Sequence, residues 1–326
     1  MMVLILHGNV PPDASKDEQD VLIEVEAVNK ALRSLKHDTT SMPLTFAMER
    51  EIARIKILNP DIIFNLVESI DGKGRFIQLA PMLFHHLDIP FTGAGLDAMF
   101  ATSNKIIAKH TLKSADIRTA KWITARSSSN ETRSIKLPYI VKSVWEHASI
   151  GLSEESIFND KQALVNRLSD LERSDPGNWF AEEFIEGREF NISMLEQDGR
   201  PVVLPIAEIV FKDFPQGKPR IVDYKAKWDE SSPEYTNTVR NFDYTSEDDD
   251  LLENLKKISI RCWHVFGLSG YARVDFRVDR DLKPYVLEIN ANPCLSPDAG
   301  FFAACERNGM SYGQVIDLIL KSADLS

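Results

Sequence analysis

The sequence predicts an α/β chain that opens with a Rossmann-like layer. Three observations carry this. MVLILHG (2–8) is a nearly continuous apolar run, as in a strand covered on both faces. From Glu18 onward, Val21, Leu22, Val25, Val28, Leu32 and Leu35 recur at helical spacing. PDIIFNLVE, bounded by Pro60, is a second buried strand, and residues 76–87 form a helix after the loop Gly72, Lys73, Gly74. DIPFTGAG adds a short strand and a turn. Strand, helix, strand, helix is the order of an open layer. Its glycines do not fall into GxGxxG at a strand-to-helix turn, so no nicotinamide site is expected.

At 326 residues the chain exceeds what one core usually holds. The layer is expected over 1–92, a second unit over 93–181 and a third over 182–326. The hydrophobic share of 43% is that of a globular protein. No stretch is long and apolar enough to span a bilayer, and MMVLIL lacks the basic flank of a signal peptide. Cys262, Cys294 and Cys305 are odd in number and lack CxxC spacing, which argues against a disulfide framework or a zinc site and for a reducing cytoplasm. A net charge of −11 opposes a nucleic-acid surface. It leaves anionic substrates open, because local cations can outweigh the global field.

In the second unit, Ser103 is read as the N-cap of a helix running to about residue 112. TAKWITA is a strand, SSSNETRSIK a polar loop, and LPYIVKSVW an apolar strand with Lys142 in its middle. Such a lysine either snorkels to solvent or meets an anion. The small-residue loop EHASIGLS that follows favours the anion, since small residues let backbone N–H groups approach phosphate. Residues 160–171 are a helix. In the third unit, WFAEEFIEGREFNISML is a strand, a turn at Gly187 and a strand, and RPVVLPIAEIVF extends the sheet. KDFPQGKPRIVDYKAKWDESSPEY is long, charged and rich in Pro and Gly, as functional loops are. SEDDDLLENLKKISIRCWHVFGL starts acidic and continues amphipathic, as a helix should.

GYARVDFRV and PYVLEINANP form the most informative stretch. Each alternates apolar and polar residues, and DRDLKP between them makes a hairpin the simplest link. Folding about Asp281 and Leu282 sets Asp275 nearly opposite Glu288, with cross-strand Cβ atoms roughly 5 Å apart. Asp275, Glu288 and Asn290 then form one patch of hard oxygen donors, with Arg273 at its edge. Carboxylates that close repel unless a cation lies between them. Such donors suit Mg²⁺. The plain alternative is a solvated acidic face on an ordinary hairpin.

The ordered series LHG, FNLVE, FTGAG, SNK, YIVKS…SIGLS, EEFIEGREF, DYKAKW, ARVDF and VLEINANP resembles the ATP-grasp superfamily, and within it the D-alanine–D-alanine ligase group. The resemblance spans nearly the whole chain. It implies an α/β, three-domain ATP-grasp fold with the Rossmann-like layer first. It implies an ADP-forming carboxylate–amine ligase that works through an acyl phosphate, in the cytoplasm, as a homodimer, on small molecules and without nucleic acid or membrane. It implies ATP and Mg²⁺, two ions, with Mn²⁺ an acceptable substitute. By position, Asp275, Glu288 and Asn290 match metal ligands. Lys105, Lys142 and Lys227 match lysines that hold phosphates, and Ser149, Ile150 and Gly151 match the loop over them. Glu182, with the backbone of Glu183, Phe184 and Ile185, matches the adenine strand, and Glu189 the ribose acid. Arg273, Lys227 and the backbone N–H of Cys294 match the catalytic groups.

The amino-acid pocket departs from the group. An acid of the first layer is expected at Asp20. Where the group commonly has a serine and a tyrosine, this chain has Ala148 and Trp228, which cannot repeat a hydroxyl network. A Ser-Leu pair for the second substrate is replaced by Ala299 and Gly300, and a glycine by Cys294. The resemblance therefore implies either a D-alanine ligase with a remodelled pocket or a ligase for other amino acids or small carboxylates. A nucleotide-binding regulatory protein without turnover is the reading from a different class.

Overall fold

The computed structural model describes residues 1–11, 13–127, 136–146, 151–215 and 217–323. The first layer is a parallel sheet in the order β2-β1-β3. β1 (Met2–Gly8) is central, β3 (Ile62–Leu66) is wholly buried, and β2 (Asp38–Leu44) is an edge. α1 (Lys16–Ser34) starts with a capping box, in which the Ser15 N–H donates to Glu18 Oε2 at 2.9 Å. α2 (Met48–Leu58) and α3 (Leu79–Leu87) cover the layer, with Leu4, Leu6, Ile55, Ile63 and Phe84 in one core between them.

Sequence reading passes over β2 and α2, and it starts α3 too early. Residues 74–76 form a separate 3₁₀ turn before α3. The strand expected in DIPFTGAG is reduced to a single bridge, Phe91 beside Ile63. Ser103 is not a cap. It ends α4 (Leu96–Ser103), where its hydroxyl donates to the Met99 carbonyl at 2.6 Å. Asn104 caps α5 (Lys105–Ser114) instead, accepting from the N–H groups of Ile106 and Ile107 at 3.0 and 2.9 Å.

A second, antiparallel sheet has the order β4-β7-β5-β6: β4 (Trp122–Ile123), β5 (Tyr139–Ser143), β6 (Ile157–Phe158) and β7 (Trp179–Glu183). The helix Lys161–Ser174 packs Leu164, Leu168 and Leu171 against it. The third sheet runs β11-β10-β8-β12-β13, with β9 beside β8. Its members are β8 (Arg188–Gln197), β9 (Arg200–Val203), β10 (Ala207–Phe211), β11 (Thr238–Asn241), β12 (Tyr271–Val278) and β13 (Pro284–Asn290).

The helix Asp249–Phe266 closes one face of that sheet. Leu251, Leu255, Cys262 and Phe266 pack with Phe190, Ile192, Val274 and Phe276. This sends Ala272, Val274, Phe276 and Val278 into the core and turns Arg273, Asp275 and Arg277 to the opposite face. The last two helices, Gly300–Arg307 and Tyr312–Lys321, return to the first layer. Phe301, Val315 and Ile319 share a core with Val3, Ile5 and Val28.

Candidate active site

The expected hairpin forms, with Val286 and not Leu287 joining Ile289 on the buried face. Asp275 lies opposite Glu288 and Arg273 opposite Asn290. The register shifts after Asp275, so that Phe276 faces Val286 and Leu287 is an extra residue on β13. Arg273 grips Asp275 with two bonds, Nε to Oδ1 at 2.7 Å and Nη2 to Oδ2 at 2.9 Å. Asn191, on β8, donates to the same Oδ1 at 2.8 Å. A carboxylate offers about four acceptor positions, so Asp275 keeps one on Oδ2. Asn290 Oδ1 accepts the Asn292 N–H at 3.0 Å and keeps its second lone pair. With Glu288, these residues make a set of hard oxygen donors that fits a divalent cation.

The lysines approach from the other elements. Lys105 Nζ donates to the Glu146 carbonyl at 2.6 Å and stands 3.9 Å from Glu288 Oε2. Lys227 comes from the short helix Tyr224–Trp228, inside the segment read as a long loop. Burial lowers its pKa, and so does nearby Arg273, while Glu288, Asp275 and Glu189 act against them. Lys142 lies 2.7 Å from Glu182 Oε1. Gly151 has φ +72, a conformation side chains resist. Ala148, Ser149 and Ile150 lie outside the described residues.

Glu182 is 1% exposed, and both its oxygens serve the protein. Lys109 Nζ is 2.5 Å from Oε2, opposite the Lys142 contact. Burial alone would raise this carboxyl; Lys109 and Lys142 bring it down instead, to about 2. Sequence reasoning missed Lys109, although it follows Lys105 by one helical turn on α5. It missed Asn191 too, which shares a strand face with Glu189. The Glu183 and Phe184 N–H groups donate to the carbonyls of Lys121 and Pro138, at 2.8 and 2.9 Å.

The Lys109–Glu182–Lys142 group makes a testable contribution to stability. Glu182→Gln is expected to cost about 3 kcal/mol at neutral pH, because two cations lose a buried partner. A carboxyl depressed on folding gives its full contribution above 4.5 and loses it as pH falls through about 2. The gap between wild type and variant in urea unfolding should therefore close on acidification.

Cys294 lies where three acids of the first layer meet the end of the hairpin. Its thiol donates to Asp20 Oδ2 at 3.1 Å and accepts the Ser296 N–H at 3.3 Å. The Leu295 N–H donates to Glu24 Oε1 at 2.5 Å, and one ligand atom each of Glu24, Glu68 and Cys294 lies within 4.8 Å of the others. Burial pushes the thiol well above its usual range, and Glu24, Glu68 and Asp20 push it further. These surroundings keep the thiol protonated, which weakens it as a nucleophile. Glu24 and Glu68 escape sequence reading because they stand 44 positions apart and meet only in space.

The sequence profile described as "D-ala D-ala ligase C-terminus" matches residues 110–321. The D-alanine–D-alanine ligase of Carboxydothermus hydrogenoformans is 31% identical over 284 residues, 84% of this chain and 85% of its own. That of Aquifex aeolicus is 29% identical over 323 residues, 98% of this chain and all of its own. The D-alanine–D-alanine ligase of Bacillus anthracis, in a crystal structure complexed with ATP, superposes with a TM-score of 0.76 at 23% identity, covering 99% of this chain and 97% of that one. The fold is that of the ATP-grasp ligases, as the motif order implies. Among the described residues, no helix is long and apolar enough to cross a membrane.

Proposed function

This chain belongs to the D-Ala–D-Ala ligase family and is an ADP-forming ATP-grasp ligase; from that premise we propose that it joins an amino-acid carboxylate to an amine through an acyl phosphate, with an amino-acid pocket of its own. The observation that carries the reading is the convergence of Arg273, Lys105 and Lys227 on the Asp275–Glu288–Asn290 patch. The substrate carboxylate attacks the γ-phosphorus of ATP and ADP leaves. Lys105, Lys142 and Lys227 offset charge on oxygens that would repel the incoming carboxylate. The amine then adds to the acyl carbon, Arg273 and the Cys294 N–H hold the oxyanion, and phosphate departs with the electrons of the broken C–O bond. Asp275, Glu288 and Asn290 would hold Mg²⁺, which supplies charge neutralisation at the phosphate oxygens when bound. The helix Tyr224–Trp228 and its flanks keep water from the acyl phosphate.

One feature of the second site supports a pocket distinct from that of the D-alanine enzymes. At the second site Ala299 caps the helix Gly300–Arg307 without a side-chain bond. Arg240 fills the room beside Gly300, where an added Cβ would lie 3.4 Å from its Nε. A guanidinium in place of a hydroxyl changes which acceptor is held. ADP release measured over a panel of amino acids and amines, with mass detection of the condensed product, tests the reading. A product from a pair other than D-alanine with D-alanine is expected. D-alanyl-D-alanine alone would refute the distinct pocket, and no ADP release with any pair would refute the ligase mechanism.

A further inference from the structure

Beyond Arg273 and Asp275, the same face of β12 carries a third charged side chain, Arg277, to which the chemistry above gives no task. It is 4% exposed. Nη1 donates to the Gly187 carbonyl at 3.1 Å, and Nη2 lies 2.8 Å from Glu189 Oε2 and also donates to the Arg220 carbonyl. Its guanidinium lies over the rings of Phe184 and Phe211, 5.6 and 5.7 Å from their centroids. Burying a cation is costly unless it is paired and hydrogen-bonded throughout. Here one carboxylate, two carbonyls and two aromatic faces meet that requirement.

The register gives this arrangement a direction. β8 sets Ser193 against Arg273, Asn191 against Asp275 and Glu189 against Arg277. At about 3.3 Å of rise per residue, Arg277 stands ~7 Å along the floor from Asp275, on the side away from Arg273. The phosphate end and the Glu189 end of one groove are thus one two-residue step apart. Arg277 ties the Glu189 end to three elements: the turn between β7 and β8, β8 itself, and the segment that leads to Lys227.

We propose that Arg277 is a positioning residue for the nucleoside end of the ATP site. It holds Glu189 Oε2, so that Oε1 is presented to the ribose hydroxyls, and it fastens the segment around Arg220 over the same end. This rests on the reading of the groove as an ATP site. A planar fork makes all these contacts at once, and a lysine cannot.

The test is direct binding of ATP and of 2′,3′-dideoxy-ATP to the full chain by calorimetry. Wild type is expected to prefer ATP. Arg277→Met and Arg277→Lys should weaken ATP by about 10- to 100-fold, the usual worth of a hydrogen bond to a charged group. They should weaken dideoxy-ATP far less, by only what the Arg220 segment gives to both nucleotides, so the preference collapses. Glu189→Gln should collapse it too, and the Arg277→Met/Glu189→Gln pair should lose no more than either alone. If Arg277→Met does not fold, Arg277→Lys carries the test. Folded variants that keep the wild-type preference would overturn the proposal, as would a wild type indifferent to the ribose hydroxyls. A wild type that binds neither nucleotide would sink the ATP reading itself, and this proposal with it.

Discussion

Lys142→Ala is expected to give a folded protein in which ATP turnover falls to background, a loss of roughly 10³-fold. Two observations make the variant informative. Lys142 sits on β5, but Tyr139, Ile140 and Val141 anchor that strand in its core, so truncation at 142 leaves the packing intact. Glu182 keeps Lys109 at 2.5 Å, so the buried carboxylate is not abandoned. Removal of a partner is dangerous when a charge is left alone in the interior, and here it is not. The loss therefore falls on the phosphates, whose charge this ammonium would offset. ADP release and thermal melting on the same preparation check the claim. Ordinary turnover in a folded variant would refute the assignment of Lys142, and a collapse of melting would show that it is structural.

How much of this was legible in the sequence depends on how local each signal is. The hairpin was legible because strand alternation, a polar turn and paired acids lie within 21 residues, 270–290. Folding about Asp281 and Leu282 gives the Asp275–Glu288 pairing; the register next to the turn would set Asp275 against Leu287, and the extra residue on β13 restores the pair. β2 was not legible. DTTSMPL buries only Met42 and Leu44 and contains Pro43, which an edge strand tolerates and a pattern search rejects. The cap of α5 was misplaced by one residue, because Ser103 and Asn104 are both good caps and only the bonding distinguishes them. Spatial convergence was the hardest to see. Lys109 reaches Glu182 across 73 positions, and Asn191 reaches Asp275 across 84. Motif matching named Glu182 and Asp275 with Lys142 and Arg273, and was silent about Lys109 and Asn191, which complete their surroundings.

Glu288→Gln and Asp275→Asn should both cut turnover steeply, but for reasons that Mg²⁺ dependence and melting separate. Glu288 faces Asp275 across the hairpin, and Lys105 Nζ stands 3.9 Å from its Oε2. Its neutral amide relieves the repulsion from Asp275 but withdraws charge from Lys105, Lys227 and Arg273, so the two effects oppose each other and melting without Mg²⁺ should shift less than in Asp275→Asn. It should need at least roughly 10-fold more Mg²⁺ to reach half of a much-reduced rate, since one anionic ligand is lost. Asp275 differs because it is the bidentate partner of Arg273 and accepts from Asn191. Asp275→Asn leaves the guanidinium short of a counter-charge and should lower the melting temperature as well as the rate. The pair of variants thus divides the hairpin's two tasks. A raised Mg²⁺ requirement with the smaller loss of stability at Glu288 marks the carboxylate as a cation ligand. Loss of both at Asp275 marks a residue that also holds Arg273 in place for the oxyanion. Wild-type rates and Mg²⁺ dependence in Glu288→Gln would remove the cation from the hairpin, and the phosphoryl-transfer chemistry would then have to lie elsewhere.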